Sequence, residues 1–425
     1  MLLALKDVIP DLQNIDDSEY SKFLSEPTTI GHLLASLPQD YVQQALLEAN
    51  KHSTRQRILP NSLMIHFPML LGLHMDLPYG EVFKRFESAY DWLGLEPPEK
   101  FPSESAMVQA RQRLGFEPVK NLFEQVVAEQ EPPKAPNAYY NNLLLTAIDG
   151  CVFDVEDSKE NAIFGYPKNQ KGNGAYPQVN CVALVNFYTR SLMDVEFGTV
   201  AGTGEQTIAK EILSRLKPGT LNLADRLYPS FESWELASAT GAHLLWRVKS
   251  DFRLDSIEDL EDGSYLAKLY KYNEGRKRIV DEFIIVRVLE YNLMIKEGKK
   301  RAKKSKEVYR LITTLLDPKE APAEELAGLY PLRYWMSEGF NKEIKTILRA
   351  PRIVLRSKSP AMVIQELYGL FLAQHAVRML IEQSAEKEGI EPAEISFKHA
   401  VHVIRRMLTQ NFSFSPGWIC LENSY

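Results

Sequence analysis

The strongest constraint on the fold is a series of short apolar runs, separated by helical patterns, between residues 143 and 248. Each run has the length of a strand and is bounded by turn residues, as buried strands are. The second and third runs are close enough, across residues 189–191, to form a hairpin. The predicted strands are Leu143–Ile148, Val179–Tyr188, Leu192–Phe197, Thr220–Leu223 and Ala242–Val248, with predicted helices at Gly204–Leu216 and Pro229–Ala239. The order β-β-β-α-β-α-β predicts an α/β unit with a mixed sheet.

Three regions of different texture predict the domain organisation of the chain. Residues 1–138 show helical periodicity, which predicts a helical N-terminal domain, a candidate DNA-binding domain. Arginines near its predicted helix ends suit phosphate contact, and they suit a solvated helical face equally well: Arg55, Arg57, Arg111 and Arg113. Residues 139–350 hold the mixed sheet, with a β-rich insertion at about 250–325. Residues 351–425 predict amphipathic helices and are a candidate dimerisation region.

Composition narrows the class of protein. A net charge of −6 argues against an indiscriminate polyanion binder. Three widely spaced cysteines, at 151, 181 and 420, form neither a metal-ligand spacing nor a disulfide framework, which indicates a reducing cytoplasm. We expect no signal peptide. The most apolar stretch, Leu63–Leu77, is too short to span a bilayer and predicts a buried helix, so we expect no membrane partner.

Two aspartates follow predicted strands, at the edge of the sheet where α/β folds bind ligands. Asp149 comes directly after the first strand, and Asp225 follows the fourth. Glu338 lies in a helical pattern that starts near Tyr330, and Lys345 shares its face two turns later. Taken singly, an Asp-Gly pair is more often a turn, and a Glu–Lys pair is more often a surface pair. Three converging carboxylates would repel one another without a cation, which predicts a Mg²⁺ site.

These residues resemble the transposases of the insertion sequence four family, which carry a DDE catalytic triad on a ribonuclease H-like fold. The matching segments are TAIDG around Asp149, NLADRLY around Asp225 and YPLRYWMSEGFNKEIK from Tyr330. In the N-terminal region, RQRILP at Arg55 and QARQRLG ending at Gly115 are also similar to that family. The resemblance therefore extends over most of the chain.

One departure from the family concerns the helix of the third carboxylate. The family signature is Y-x2-R-x3-E-x6-K, whereas Tyr330, Arg333, Glu338 and Lys345 form Y-x2-R-x4-E-x6-K. The added residue moves the arginine off the face of the glutamate on a regular helix. Either the first turn is distorted or Tyr334 takes the place of the arginine, and the spacing from Tyr330 favours Arg333.

The resemblance implies cut-and-paste transposition by a DDE enzyme. Asp149, Asp225 and Glu338 would be the catalytic residues and would hold two Mg²⁺ ions, for which Mn²⁺ can substitute. Water would cleave the element end, and the freed 3′-hydroxyl would attack the opposite strand to form a hairpin. The resolved end would then join target DNA.

Several basic residues are candidate DNA contacts. The resemblance implies phosphate contacts by Tyr330, Arg333 and Lys345. Arg226, beside Asp225, is a further candidate, although an ordinary surface arginine is the alternative. Basic residues recur every three or four positions, at Lys342, Lys345, Arg349, Arg352 and Arg356, and predict a stripe that Pro351 interrupts. The segment Lys296–Arg310 has eight Lys/Arg against two Glu and predicts a basic loop, either bound to DNA or merely solvated.

The complete prediction is a Mg²⁺-dependent DNA transposase with a ribonuclease H-like core, a β-rich insertion and helical terminal regions. Its expected partners are double-stranded DNA, as terminal inverted repeats and target, and a second copy of the chain in a synaptic homodimer. Its expected location is the bacterial cytoplasm, at the nucleoid. Two alternatives remain open: a transposase-derived DNA-binding protein that no longer cuts, and a metal-dependent nuclease without strand transfer.

Overall fold

The computed structural model describes most of the chain between residues 30 and 410. The described ranges are 30–52, 57–86, 89–93, 95–96, 98–169, 172–200, 202, 204–273, 275, 277–295, 303–349 and 353–410. For a few residues in these ranges, among them 303–307 and 334–338, the structure describes the backbone and not the side chain.

Helices precede and follow the central sheet. The helices before it are α1 (Ile30–Ala35), α2 (Gln39–Glu48), α3 (Asn61–Met64), α4 (Phe67–Leu73), α5 (Tyr79–Lys84), α6 (Ala89–Trp92), α7 (Glu104–Leu114) and α8 (Glu117–Ala128). Those within and after it are α9 (Glu205–Leu213), α10 (Phe231–Ser238), α11 (Ala323–Leu329), α12 (Leu332–Lys342), α13 (Pro360–Glu388) and α14 (Phe397–Gln410). A π-helical turn, Glu343–Leu348, continues α12.

The strands form one large sheet and a small two-stranded ladder. They are β1 (Tyr139–Tyr140), β2 (Leu143–Asp154), β3 (Lys168–Asn169), β4 (Gly172–Asn173), β5 (Gln178–Asn186), β6 (Leu192–Thr199), β7 (Thr220–Ala224), β8 (His243–Val248), β9 (Asp255–Asp259), β10 (Tyr265–Tyr272), β11 (Arg278–Ile295) and β12 (Lys303–Thr313). The order in the large sheet is β6-β5-β2-β7-β8-β12-β11-β10-β9.

The core of the sheet is mixed, as the sequence predicts. β7 and β8 run parallel to β2, whereas β5 and β6 are antiparallel neighbours on its other side. The predicted α/β fold class with a mixed sheet is therefore confirmed. The insertion is also β-rich: β12 pairs with β8, so β9–β12 extend the same sheet and do not form a separate one.

The first strand is longer than predicted. We expected it to end at Ile148, but β2 continues to Asp154, and Asp149 pairs with Ala183 of β5. The prediction was wrong because the hydrophobic run ends where β7 ends, whereas β5 continues to supply backbone partners. Asp149 is therefore held on a strand and not on a turn.

Two hydrophobic clusters cover the two faces of the sheet. One face packs against α9 and α10, with the edge-to-face pair Trp234–Trp246 at 5.2 Å between ring centroids. The other face packs against the N-terminal helices and α13, whose long apolar surface is largely buried. Gly369 of α13 lies against Pro68 of α4 so closely that a Cβ would overlap the proline backbone. The N-terminal and C-terminal helices therefore share one core with the sheet, and the predicted domain boundaries stay a prediction.

The N-terminal region is helical, but its helices are shorter than predicted. The apolar stretch Leu63–Leu77 is buried, yet it forms two helices, α3 and α4, and not one. Ser103 caps α7 by accepting a hydrogen bond from the Ala106 amide at 3.2 Å. Arg111 is 2 % exposed and donates to Gln365 of α13 at 2.8 Å, so it is a structural residue. Arg55 lies outside the described residues.

A polar ladder connects the three parallel strands. Trp246 Nε1 donates to Asn222 Oδ1 at 3.0 Å, and Asn222 Nδ2 donates to Thr146 Oγ1 at 3.2 Å. Asn222 is fully buried, so a shift in strand register would leave its amide without partners. The ladder thereby fixes the relative level of β2, β7 and β8. Within the described residues, no helix is long and apolar enough to cross a membrane.

Candidate active site

Asp149 on β2 and Asp225 directly after β7 lie at the same level of the sheet. β2 and β7 run parallel, and their last paired residues are Ala147 and Leu223, so each aspartate stands two residues further along. Asp225 begins the turn after β7, where its Oδ1 accepts a hydrogen bond from the Leu227 amide at 2.8 Å. The register of the sheet therefore brings together two carboxylates that are far apart in the sequence.

Both carboxylate oxygens of Asp149 accept hydrogen bonds from α12. Arg333 Nη2 donates to Oδ1 at 3.1 Å and to the Ile148 carbonyl at 3.3 Å, and Asn341 Nδ2 donates to Oδ2 at 2.9 Å. Arg333 Nε and Asn341 Oδ1 are buried without a hydrogen-bond partner among the described residues. Buried polar atoms of this kind are uncommon, and they leave an unused donor and an unused acceptor beside Asp149.

The charges around Asp149 oppose one another. Burial raises the pKa of Asp149 above its ordinary value, the Arg333 guanidinium lowers it, and the negative charge of Asp225 raises it further. Lys345, in the π-helical turn, is close enough to lower the pKa of Asp149 as well. The site therefore concentrates acidic groups and already contains two cations that partly compensate for them.

The start of α12 is attached to the end of β7. Tyr330 is 6 % exposed, and its hydroxyl donates to the Ala224 carbonyl at 3.2 Å, directly before Asp225. The Arg333 amide donates to the Tyr330 carbonyl at 3.0 Å, a tight turn of the 3₁₀ type. This tight turn agrees with the first of the two alternatives that the added residue left open, whereas the side chain of Tyr334, on which the second depends, is not described. The turn aims the Arg333 side chain at Asp149.

The far end of α12 is anchored by a buried ion-pair cluster. Glu343, 2 % exposed, pairs with Arg378 of α13 and with Arg190 in the turn between β5 and β6 at 3.5 Å. Gln374 Nε2 donates to the Arg190 carbonyl at 2.9 Å and to Glu343 Oε2 at 3.3 Å. The cluster joins α12, α13 and the sheet edge around one carboxylate.

Glu338 occupies the middle of this helix. Its backbone lies in α12 one turn before Asn341, so the two positions share a helix face. Its side chain lies outside the described residues, and its role stays a prediction. Asn341 was missed by the sequence reasoning. The sequence could have indicated Asn341, because it lies three positions after Glu338 in the same predicted helix and so on the same helix face.

Glu205, the first residue of α9, is a third acidic group that the sequence reasoning missed. Tyr228 donates its hydroxyl hydrogen to Glu205 Oε1 at 2.6 Å. Burial raises the pKa of Glu205, and Asp149 and Asp225 both raise it further. No sequence signal marks Glu205, because an acidic residue in the first turn of a helix is common.

Comparison with known proteins decides the family. The family model described as "Transposase DDE domain" matches residues 141–374, more than half of the chain. The chain belongs to the DDE transposase family. It is thus an enzyme that cleaves DNA and transfers strands. The family model "Insertion element 4 transposase N-terminal" matches residues 27–124, and the resemblance to the insertion sequence four family is confirmed.

Two curated relatives are transposase proteins of Escherichia coli K12. The transposase InsG of insertion sequence element IS4 is 28% identical over 408 residues, which cover 95% of this chain and 87% of InsG. InsZ is 26% identical over 212 residues, which cover 49% of this chain and 68% of InsZ. A cryo-EM structure of the piggyBac transposase synaptic complex with hairpin DNA aligns with a TM-score of 0.40 at 13% identity, covering 97% of this chain and 83% of that one. That likeness is too low to support an argument.

The candidate DNA contacts of this transposase fall into two groups. Tyr330, Arg333 and Arg349 are each less than 9 % exposed. The Arg349 guanidinium lies 5.8 Å from the centre of the Phe153 ring, and its Nε and Nη1 have no hydrogen-bond partner among the described residues, so its predicted contact with a phosphate backbone stays a prediction. Tyr330 and Arg333 make the hydrogen bonds to Ala224, Ile148 and Asp149 that are described above. Lys342 and Arg226 are exposed, and Lys345 is half-buried.

The remaining basic segments are also partly structural. Arg356 donates to the carbonyls of Leu77 at 2.6 Å and Met75 at 3.1 Å, and Arg352 lies outside the described residues. The predicted stripe is therefore not continuous. Of the predicted basic loop Lys296–Arg310, residues 303–310 belong to β12, and residues 296–302 lie outside the described residues.

The oxygen atoms that could bind a metal at this site suit a divalent cation of the Mg²⁺ type. They are carboxylate oxygens and an amide oxygen, which are the ligands that hard cations prefer. Within the described residues, no three acidic, histidine or cysteine side chains converge as a ready-made metal site. Asp149 is instead engaged by Arg333 and Asn341. The buried, unpartnered Asn341 Oδ1 is a further oxygen available to a cation.

Proposed function

We propose that this transposase cleaves DNA at the ends of its own element in a metal-dependent reaction and joins the freed ends to target DNA. A cut-and-paste pathway with a hairpin intermediate is the form of the reaction that the family resemblance favours. One observation supports the proposal above all others. Asp149 on β2 and Asp225 directly after the parallel strand β7 stand level, and two side chains of α12, which carries Glu338, donate hydrogen bonds to Asp149.

Asp149, Asp225 and Glu338 would hold two Mg²⁺ ions, with Mn²⁺ as a substitute. Such a pair of ions activates the attacking oxygen and stabilises the leaving oxygen at phosphorus. The residues of the chain position these ligands. The strands hold Asp149 and Asp225, and α12 lies across them through Tyr330 and Arg333.

The cations beside the carboxylates suit a polyanionic substrate. Arg333 has a buried Nε that no described residue engages, and the charge of Lys345 lowers the pKa of Asp149. A phosphate that enters the site would give both groups a partner. Exposed Lys342 and Arg226 flank the site in sequence and would contact the backbone further out.

The proposed partners are double-stranded DNA, as terminal inverted repeats and as target, and a second copy of the chain when two ends are paired. Of the two C-terminal helices predicted to contact a second copy, α14 is better placed than α13. α13 is largely buried within its own chain, whereas exposed positions remain along α14.

A cleavage and strand-transfer assay on the element's own terminal inverted repeats tests the proposal. We expect Mg²⁺-dependent cleavage and joined products from the wild type. Asp225→Ala should reduce both by at least about 100-fold, because a lost metal ligand removes several kcal/mol of transition-state stabilisation. Asp251→Ala, an exposed aspartate of the insertion, serves as the control and should retain wild-type rates.

Each of the other outcomes would indicate a different function for the chain. Activity that persists in Asp225→Ala would remove the proposed metal site. Cleavage without joined or hairpin products would indicate a nuclease. Binding to the terminal repeats without any cleavage would indicate a DNA-binding protein derived from a transposase.

A further inference from the structure

We infer that Arg190 is a positioning residue of the DNA-cleavage site, which holds α12 in the orientation that presents Glu338 to the aspartates. The inference rests on the proposed function, because it takes Glu338 as the third catalytic carboxylate. The Glu343 cluster anchors the end of α12. The inference adds a second contact of Arg190, which lies beside Glu338 itself.

This second contact depends on a glycine in the middle of α12. Gly339 directly follows Glu338, and a Cβ at position 339 would lie 2.9, 3.0 and 3.0 Å from the Cζ, Nε and Nη1 atoms of Arg190. These distances are shorter than a van der Waals contact, which is about 3.5–4.0 Å between carbon atoms. The Arg190 guanidinium therefore lies directly on the helix backbone. A glycine inside a helix is less stable than alanine by about 0.5–1 kcal/mol, and the space it leaves for Arg190 accounts for its presence.

The turn between β5 and β6 holds Arg190 in a fixed orientation. Its φ of +58° is in the left-handed region, which is unfavourable for arginine. The Arg190 amide donates to the Asn186 carbonyl at 3.0 Å, and Gln374 of α13 donates to the Arg190 carbonyl at 2.9 Å. Asn186 Oδ1 accepts hydrogen bonds from the amides of Tyr188 at 2.8 Å and Thr189 at 3.0 Å. The turn is thus a firm support from which the Arg190 side chain reaches α12.

The ion pair with Glu343 does not by itself account for Arg190. Glu343 already accepts two hydrogen bonds from Arg378, through Nε at 3.0 Å and through Nη2, whereas Arg190 Nη1 is 3.5 Å from Glu343 Oε1. Burial lowers the pKa of Arg190. Burial and then the charge of Arg190 lower the pKa of Arg378, and Glu382 raises it. A second buried guanidinium at this place is therefore electrostatically unfavourable, and its contact with α12 explains what it does there.

Arg190 and Asp149 contact different sides of α12. Asn341, which donates to Asp149 Oδ2 at 2.9 Å, lies two residues after Gly339 and so about 200° away around a regular helix. The helix is thereby held between the β5–β6 turn and β2, and Glu338 is next in sequence to the first of these contacts. Together the contacts limit both sliding and rotation of α12. Such precision matters, because a displacement of about 1 Å at a reacting group can slow a reaction by about 100-fold.

Three measurements on Gly339→Ala test the inference: single-turnover cleavage of saturating terminal-repeat DNA, affinity for the same DNA without Mg²⁺, and melting temperature. The added methyl group should displace the Arg190 guanidinium and lower the cleavage rate by about 10-fold to 100-fold. The melting temperature should not fall, because alanine is the better helix former. The DNA affinity should stay at the wild-type value. Gly328→Ala in α11, where a Cβ meets nothing within 4 Å, is the matched control and should change none of the three.

Arg190→Asn removes the guanidinium and keeps a residue that tolerates the left-handed backbone. It should lower the cleavage rate as Gly339→Ala does, without a lower melting temperature, because Arg378 still pairs with Glu343. Adding Gly339→Ala to Arg190→Asn should cause no further loss, since both changes remove the same contact and their effects are then not additive.

Three results would overturn the inference. Wild-type rates in both single variants would show that the contact has no part in cleavage. Rates that fall together with melting temperature or DNA affinity would show that Arg190 is only structural. Losses that multiply in the double variant would show that Arg190 and Gly339 act separately.

Glu338→Gln distinguishes these failures from a failure of the proposed function. If it abolishes cleavage while Gly339→Ala and Arg190→Asn cleave at the wild-type rate, the proposed site stands and Arg190 has no part in it. If Glu338→Gln cleaves at the wild-type rate, the proposed role of Glu338 is refuted, and the positioning role of Arg190 with it.

Discussion

The two halves of the active site are held in different ways. Asp149 and Asp225 are positioned by backbone pairing of β2 with β5 and β7 and by the buried polar ladder through Asn222. α12 is positioned by side chains: the Tyr330 hydroxyl at its start and the Glu343 cluster at its end. Repeated backbone hydrogen bonds resist small displacements, whereas a few side-chain contacts can be exchanged one at a time. Backbone pairing therefore holds the strand half of the site, and individual side-chain contacts hold the helix half.

The largest effect is expected from the anchor of the helix half. Glu343→Gln leaves Arg378, 2 % exposed, and Arg190 without their carboxylate. Breaking a buried ion pair by removing one partner costs about 3–5 kcal/mol. Urea unfolding should show a loss of that size, and cleavage should fall with it. A loss below about 1 kcal/mol would mean that α12 is held by other contacts.

Acid should destabilise the helical half through His375 of α13. Burial lowers the pKa of His375 to about 4. An unfolded histidine has a pKa of about 6.5, so as the pH falls below that value the unfolded chain binds the proton first and is stabilised. The contribution is present in full above pH 6.5 and decreases toward pH 4. Between pH 7 and pH 5 it amounts to about 2 kcal/mol.

Urea unfolding of the wild type and His375→Leu at pH 7 and pH 5 measures this contribution. The variant should lose about 2 kcal/mol less than the wild type between the two values. His66, whose pKa burial also lowers to about 4, should retain its own acid sensitivity in the variant. Equal losses in the two proteins would show that His375 is not buried as described.

A smaller effect is expected in the strand half. Asn222→Leu removes the acceptor of Trp246 Nε1 and the donor to Thr146 Oγ1. Leaving a buried donor unsatisfied costs about 1–3 kcal/mol, while the backbone pairing of β2 with β7 remains. The variant should be less stable in thermal unfolding but still bind Mn²⁺. Loss of Mn²⁺ binding at unchanged stability would contradict the view that backbone pairing holds the aspartates.

The sequence was sufficient to predict the core strands and two residues of the candidate site. The strands and the α/β order follow from local patterns of apolar residues, and the structure contains all five predicted core strands. Asp149 and Asp225 could be selected as a pair because strand ends meet at one edge of a sheet. The end of β2 could not be predicted, because it depends on hydrogen bonds supplied by β5.

The surroundings of the predicted DNA-contact residues could not be predicted from the sequence. Tyr330 and Arg333 were selected by the family resemblance and Arg349 by its spacing along a helix, and neither signal shows what covers the side chain. In the structure they are buried, and their neighbours come from distant parts of the chain, such as Ala224, Asp149 and Phe153. Lys342, selected by helical spacing, and Arg226, selected because it stands beside Asp225, are exposed.

The sequence by itself determined the fold class, the family and the two strand-borne aspartates, because periodicity and short motifs are local properties of the chain. Only the tertiary structure decided which polar groups meet at the site. Asn341 lies on Asp149, and Glu205 lies on Gly150, because α12 and α9 pack on opposite faces of one sheet. No local pattern encodes a contact between a helix on each face and a strand between them. That arrangement depends on the register and packing of the whole sheet.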